Sequence, residues 1–165
     1  MTNRYNITYN KELKDFVTPK HLKEAPIHNW LVFPHSYSHE LISILKERWH
    51  LGSGDVILDP FCGAGTTLLA AKKYGISAKG YDISPFAIFI SNVKARNYEE
   101  PALRDCWEEI CRKAKKSVKA DKKIKNYPEL VLKALPRQVL SNFESLEAII
   151  AQCTNSSRER DFFRL

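Results

Sequence analysis

The sequence predicts an α/β fold, and three observations carry that reading. A short β-branched run, Asp55-Val56-Ile57-Leu58, stops at Asp59-Pro60. Glycines follow at 63 and 65, and Thr66 to Tyr74 then has the spacing of a helix closed by Gly75. A second strand is expected over residues 78–82, so strand, glycine loop, helix and strand form the start of a parallel βαβ unit with a right-handed crossover.

The remaining elements follow in order. Residues 1–37 hold few periodic apolar positions and are punctuated by Pro19, Pro26 and Pro34, which predicts an extended arm whose Trp30, Leu31, Val32 and Phe33 are buried elsewhere. Ser38 is a candidate N-cap for an amphipathic helix carrying Leu41, Ile42, Ile44, Leu45 and Trp49, stopped by Gly52 and Gly54. Ser84-Pro85 opens another helix. Beyond residue 100, Pro101 and Pro136 suit first-turn positions, and Ser141 with Glu144 and Ser156 with Glu159 suit capping boxes. Residues 98–165 offer no third strand, so the last third reads as helical and the sheet as incomplete.

Composition bounds the function. A chain of 165 residues with 44% apolar content can build one ordinary core. No apolar run approaches the roughly 20 residues of a membrane span, and the polar start lacks a secretion signal's apolar stretch, so a cytoplasmic protein with no membrane partner is expected. Cys62, Cys106, Cys111 and Cys153 form no Cys-x-x-Cys pair, which argues for reduced thiols and no metal; His35 and His39 lack a third ligand. The net charge of +7 is uneven, with most of the basic surplus after residue 100, as a polyanionic partner would favour.

The glycine loop carries the chemistry. The helix beyond Gly65 presents free N–H groups and a partial positive charge, an attractive place for an anion. A P-loop would need a lysine directly after its second glycine, and here Thr66 follows Gly65. A dinucleotide site would place a third glycine near Leu68. Asp82, ending the second strand, can accept hydrogen bonds from both hydroxyls of a ribose, with Ile83 against a purine. An anion at one strand end and a ribose at the next describe a nucleoside with an amino-acid tail, and S-adenosylmethionine fits.

Asp59-Pro-Phe-Cys-Gly-Ala-Gly-Thr-Thr67 followed by Gly80-Tyr-Asp-Ile-Ser-Pro85 resembles the cofactor motifs of bacterial DNA methyltransferases that modify an exocyclic amino group. The resemblance, over roughly residues 26–97, implies an incomplete Rossmann-like S-adenosylmethionine-dependent methyltransferase fold. It implies that Asp59, Pro60, Phe61, Cys62, Gly63, Ala64, Gly65 and Thr66 surround the methionine part, that Asp82 holds the ribose and Ile83 the adenine, and that Tyr81 contributes backbone. Trp30 to Ser38 resembles the stretch that folds back over the cofactor, adding Phe33, Pro34 and Ser38. The expected organisation is an arm over the site at 1–37, a cofactor-binding region at 38–100 and a helical basic region at 101–165.

The family's catalytic Asp/Asn/Ser-Pro-Pro-Tyr is absent, since no Pro-Pro occurs, so no catalytic residue is assigned. An amine conjugated to a base is a poor nucleophile and needs acceptors aimed at its protons. Together with the missing strands, this predicts a cofactor half, a split subunit or a truncation ending within a helix, whose partner is a complementary catalytic half; the exposed sheet edge and apolar helix faces predict self-association or instability. Arg112, Lys113, Lys115, Lys116, Lys119, Lys122, Lys123 and Lys125 are candidates to grip a DNA backbone, while Trp107, Tyr127 and Phe143 are assigned to packing. Cys62, near a helix start that lowers thiol pKa values, is read as a loop wall. The rival readings are an RNA guanine-amino methyltransferase fragment and a non-catalytic cofactor- or DNA-binding module.

Overall fold

A computed structural model describes residues 11, 13–117 and 124–165. The chain divides into two compact units, Met1–Arg96 and Asn97–Leu165.

In the first unit, 3-10 turns at Lys14–Val17, Lys20–Lys23 and His28–Trp30 precede helix α1 (Glu40–Arg48), strand β1 (Val56–Asp59), helix α2 (Thr66–Lys73), strand β2 (Ser77–Gly80) and helix α3 (Pro85–Ala95). The strands pair in parallel, Val56 opposite Ser77 and Asp59 opposite Gly80, so the two strand ends lie side by side. Ala70 and Ala71 are fully buried on α2, which packs on both strands, α1 and α3; their small side chains permit that closeness. Gly75 takes a positive φ of 67° to end α2, as expected of a glycine just past a helix. Ser84 caps α3, accepting the Ala87 N–H at 3.3 Å with Pro85 in the first turn. At the other end of α3, Lys72 Nζ satisfies the last carbonyls, Ala95 O at 2.9 Å and Arg96 O at 2.8 Å.

Several expectations are corrected here. Among its described residues, the arm is wound into 3-10 turns between Lys14 and Trp30 and is not extended there, because its prolines fix helix-compatible φ angles as readily as extended ones. Trp30 is exposed rather than buried, and Leu31 to Phe33 are half-buried. The cap of α1 is His39, while Ser38 is fully buried one residue earlier. His35 precedes that helix, so the four-residue spacing to His39 does not put both on one helical face. The second strand lies at 77–80, one residue earlier at its start and two shorter at its end than expected.

The second unit is entirely helical among its described residues: α4 (Glu100–Ser117), α5 (Glu129–Ala134), α6 (Arg137–Cys153) and α7 (Ser157–Arg164). Its core clusters Ile110 of α4 with Ile149 and Ile150 of α6, backed by Ala114, Cys153 and Phe163. Tyr98 meets Phe162 at 4.9 Å between ring centres, and Trp107 stacks on Phe163 at 6.4 Å. The Ser156/Glu159 capping box forms as expected. The Ser141/Glu144 box does not: Ser141 lies buried inside α6, where helical amides already have partners, and Pro136 is the cap rather than a first-turn residue. Phe143 is exposed, and Trp107, although stacked on Phe163, is exposed on its remaining surface, so neither is a core residue.

Candidate cofactor site

The site grows from the adjacent ends of β1 and β2. The ladder continues past the strands, with the Tyr81 N–H donating to Asp59 O at 2.8 Å and the Cys62 N–H donating to Tyr81 O at 2.9 Å. The chain then doubles back, Gly65 N–H to Cys62 O at 2.7 Å, through two glycines with φ of 48° at Gly63 and 83° at Gly65. That left-handed geometry is why glycine stands at both. At Gly65 space matters too, since a Cβ would come within 2.9 Å of Ser91 Cβ and 3.0 Å of its Cα. At Gly80 a Cβ would strike Cys62 Cβ and Leu68 Cδ1, both at 2.8 Å. Glycine at 65 and 80 therefore serves the close packing of loop, strand and α3.

Two carboxylates fix the turn. Asp59 Oδ1 accepts the Phe61 N–H at 3.0 Å, while Oδ2 receives the Thr67 hydroxyl and the Tyr37 hydroxyl, the latter at 3.3 Å. The Tyr37 and Thr67 hydroxyls also touch each other. Burial, with the Asp59 charge adding to it, pushes the Tyr37 phenol up to about 12, so it stays a protonated donor. Asp82 accepts the Gly63 N–H through Oδ2 and the Ser84 N–H through Oδ1, both at 2.9 Å. These amides, Ser84 first, hold its carboxyl below the usual carboxylate range. Each oxygen keeps a further lone pair for another donor.

Around this frame the apolar side chains are open. Ile83 is 100% exposed, Phe61 85% and Tyr81 61%, although such residues ordinarily seek cover. Phe33 packs beside the loop, 3.5 Å from where a Cβ on Gly63 would stand, and stacks on Phe86 at 6.5 Å. Pro34 is exposed; Ser38 is fully buried, its N–H on Phe16 O at 2.8 Å and its hydroxyl taken up by Glu40. Cys62, Ala64, Gly65 and Thr66 are buried and Pro60 exposed. Burial pushes the Cys62 thiol up, correcting the expectation that the helix start lowers it. Helix α2 has no side-chain cap, which leaves its N-terminus without an anionic partner of that kind.

Sequence reasoning missed Tyr37, Thr67 and Lys94. Lys94 is buried on α3, its Nζ donating to His28 O at 3.0 Å and Leu31 O at 2.5 Å, and burial pushes its ammonium down to about 8. The signal was present: Ala87, Ile90, Ser91 and Lys94 share one helical face, and the first three are buried. Beside it, burial and the nearby charges of His39 and Lys94 push His28 down to about 4, and its ring stacks on His39 at 4.9 Å.

In the second unit, Arg112 binds Glu109 through two nitrogens, Nε at 2.8 Å and Nη2 at 2.6 Å, and Lys113 reaches the same carboxylate at 3.5 Å. Lys115 and Lys116 are exposed. Lys125 is exposed too, its backbone N–H donating to Glu144 at 2.7 Å, and Lys119, Lys122 and Lys123 lie outside the described residues. No helix among the described residues is long and apolar enough to cross a membrane.

The sequence is similar to those of known proteins. The chain is 42% identical over 80 residues to the type II methyltransferase M.BsoBI of Geobacillus stearothermophilus, covering 48% of this chain and 15% of that protein. Against M.MjaII of Methanocaldococcus jannaschii it is 35% identical over 105 residues, 60% of this chain and 20% of the relative. Against M.AvaI of Nostoc it is 35% identical over 72 residues, 44% and 15% respectively. The chain thus spans at most about a fifth of the length of these relatives. No solved structure matches. The N6/N4 methyltransferase family, described as DNA methylase, matches residues 8–93, and the chain belongs to that family.

Proposed function

We propose that this chain is the S-adenosylmethionine-binding half of a site-specific DNA methyltransferase that modifies an exocyclic amino group, adenine N6 or cytosine N4. The observation that carries the reading is Asp82, fixed by two amides at the end of β2 and followed by a wholly exposed Ile83. The remaining lone pairs of Asp82 suit a ribose diol, and bare Ile83 suits an adenine face. The uncapped start of α2 suits the amino-acid carboxylate. Phe61, Cys62, Gly63, Ala64 and Thr66 wall the methionine part with Asp59 and Pro60 at the strand end, Tyr81 lends backbone, and Phe33, Pro34 and Ser38 close the site from the arm.

When bound, the cofactor supplies a methyl group on a sulfonium, which an amino nitrogen takes in one displacement with loss of a proton. The residues here hold and orient; they include no Pro-Pro-Tyr element to accept the amine's protons, so this chain alone turns over negligibly. The complementary catalytic half is expected to dock on β1. Val56-Ile57-Leu58 has the composition of a strand covered on both faces, yet Val56 and Leu58 are 59% and 60% exposed. β2, with exposed Ser77 and Lys79, has an edge strand's character, so the incomplete sheet extends from β1 in a Rossmann-like manner. Without that half, the same face favours self-association. Lys115, Lys116 and the neighbouring basic residues add salt-dependent affinity for DNA in the cytoplasm.

Calorimetric titration with S-adenosylhomocysteine, ATP and NAD tests the reading. Saturable binding of S-adenosylhomocysteine alone, weakened about tenfold or more by Asp82→Ala, is expected. Equal affinity of the variant would remove the ribose assignment.

A further inference from the structure

We infer that Lys94 is a positioning residue for the cofactor site: by binding the carbonyls of His28 and Leu31, it holds the Leu31–Tyr37 strap so that Phe33 closes over Gly63. This rests on the proposed cofactor site and adds a device to it. A lysine ammonium 3% exposed in a helix otherwise burying Ala87, Ile90 and Val93 is a costly placement. It survives because its donors meet two carbonyls, at 3.0 and 2.5 Å. Both belong to the segment just before Phe33, more than sixty residues away in sequence, so the contact specifies where the arm crosses α3. It satisfies two backbone acceptors in a stretch that has neither sheet nor long helix to satisfy them.

The strap is tied at its other end as well. Tyr37 binds Asp59 and Thr67, residues that flank the glycine turn. Phe33 lies between the two ties and packs on Gly63 and Phe86. The residue before the His28–Trp30 turn that leads into the strap, Ile27, takes a φ of 66° that a β-branched side chain rarely adopts. A conformation of that kind persists only where the surroundings enforce it. Lys94, bonded to the very next carbonyl at 3.0 Å, contributes to that enforcement together with the Trp30 N–H on Ile27 O at 3.2 Å. With one tie removed, the strap pivots on Tyr37 and Phe33 leaves the loop.

The test uses the whole chain as Lys94→Met, which keeps the volume and removes the donors, Lys94→Gln, which keeps an amide donor, Phe33→Ala, and the Lys94→Met/Phe33→Ala double variant. The first readout needs no ligand: the Gly63 amide resonance, shifted by the Phe33 ring, is expected to move in Lys94→Met toward its Phe33→Ala position and to move less in Lys94→Gln. The second is S-adenosylhomocysteine affinity, expected to fall about tenfold in Lys94→Met, with almost no further loss when Lys94→Met is added to Phe33→Ala. An unmoved Gly63 resonance, or losses that add in the double variant, would overturn the inference. So would loss of the fold in both Lys94 variants, which would assign the residue to stability alone. A moved Gly63 resonance in a chain that does not bind S-adenosylhomocysteine would uphold the strap geometry, sink the cofactor reading and with it the role given to Lys94.

Discussion

Between Asp59 and Thr67 the backbone is specified almost residue by residue: two positive φ angles, two carboxylates each holding loop donors, and contacts too close for a Cβ. In the helices of Asn97–Leu165, by contrast, order comes from a repeated apolar face around Ile110, Ile149 and Ile150 and from a capping box at Ser156. The first kind of structure has few substitutable parts. The second spreads its stability over many side chains, each replaceable at a graded cost. A ligand site needs the first kind, because atoms must be placed within a fraction of an ångström.

The largest expected effect follows from that contrast. Gly65→Ala combines left-handed strain with a clash against Ser91 and should cost about 3–5 kcal/mol in urea unfolding. Gly75→Ala has a similar φ of 67° but nothing within 4 Å of the new Cβ, and should cost only about 1 kcal/mol. Equal costs for the two would mean that the loop's close packing contributes nothing. In the helical unit, Ile150→Ala should cost about 2–3 kcal/mol, seen as faster amide exchange along α6; a cost below about 0.5 kcal/mol would show that the isoleucine cluster is not its core.

The arm and the α3 lysine that ties it add a pH signature. His28 titrates near 6.5 when unfolded and near 4 when folded, so the unfolded chain binds the extra proton in that interval. This contribution to stability is fully present above pH 6.5 and is lost as pH falls toward 4. Lys94, near 8 folded and 10.5 unfolded, acts in the same sense higher up: stability rises with pH between those values. Melting of the wild type at pH 4.5 and 7 should therefore differ by more than in His28→Gln, and an unchanged difference would remove His28 from the account. The smallest effect is at the capping box, where Ser156→Ala should cost about 1 kcal/mol by thermal melting.

What the sequence made legible divides along the same line. Gly63, Gly65, Gly75, Ser84 and the Ser156/Glu159 pair were readable because each acts through backbone geometry a few residues away. Tyr37 and Thr67 were not, because their partners lie in other elements; for Lys94 the buried helical face was legible but its partners in the arm were not. Ser141 misled for the same reason, since a capping pattern inside a longer amphipathic helix is overridden by packing. The apolar exposure of Val56 and Leu58 was foreseeable only through the two-strand sheet that the sequence predicts.

The most direct test is an amide-resolved titration of the isotopically labelled chain with S-adenosylhomocysteine. The account predicts that the amides of residues 61–67 and 82–84 shift together and saturate, with the Gly63 and Ser84 signals, both bound to Asp82, among the most affected. Shifts confined to residues 107–116, with the glycine turn and Asp82 unmoved at saturation, would contradict it.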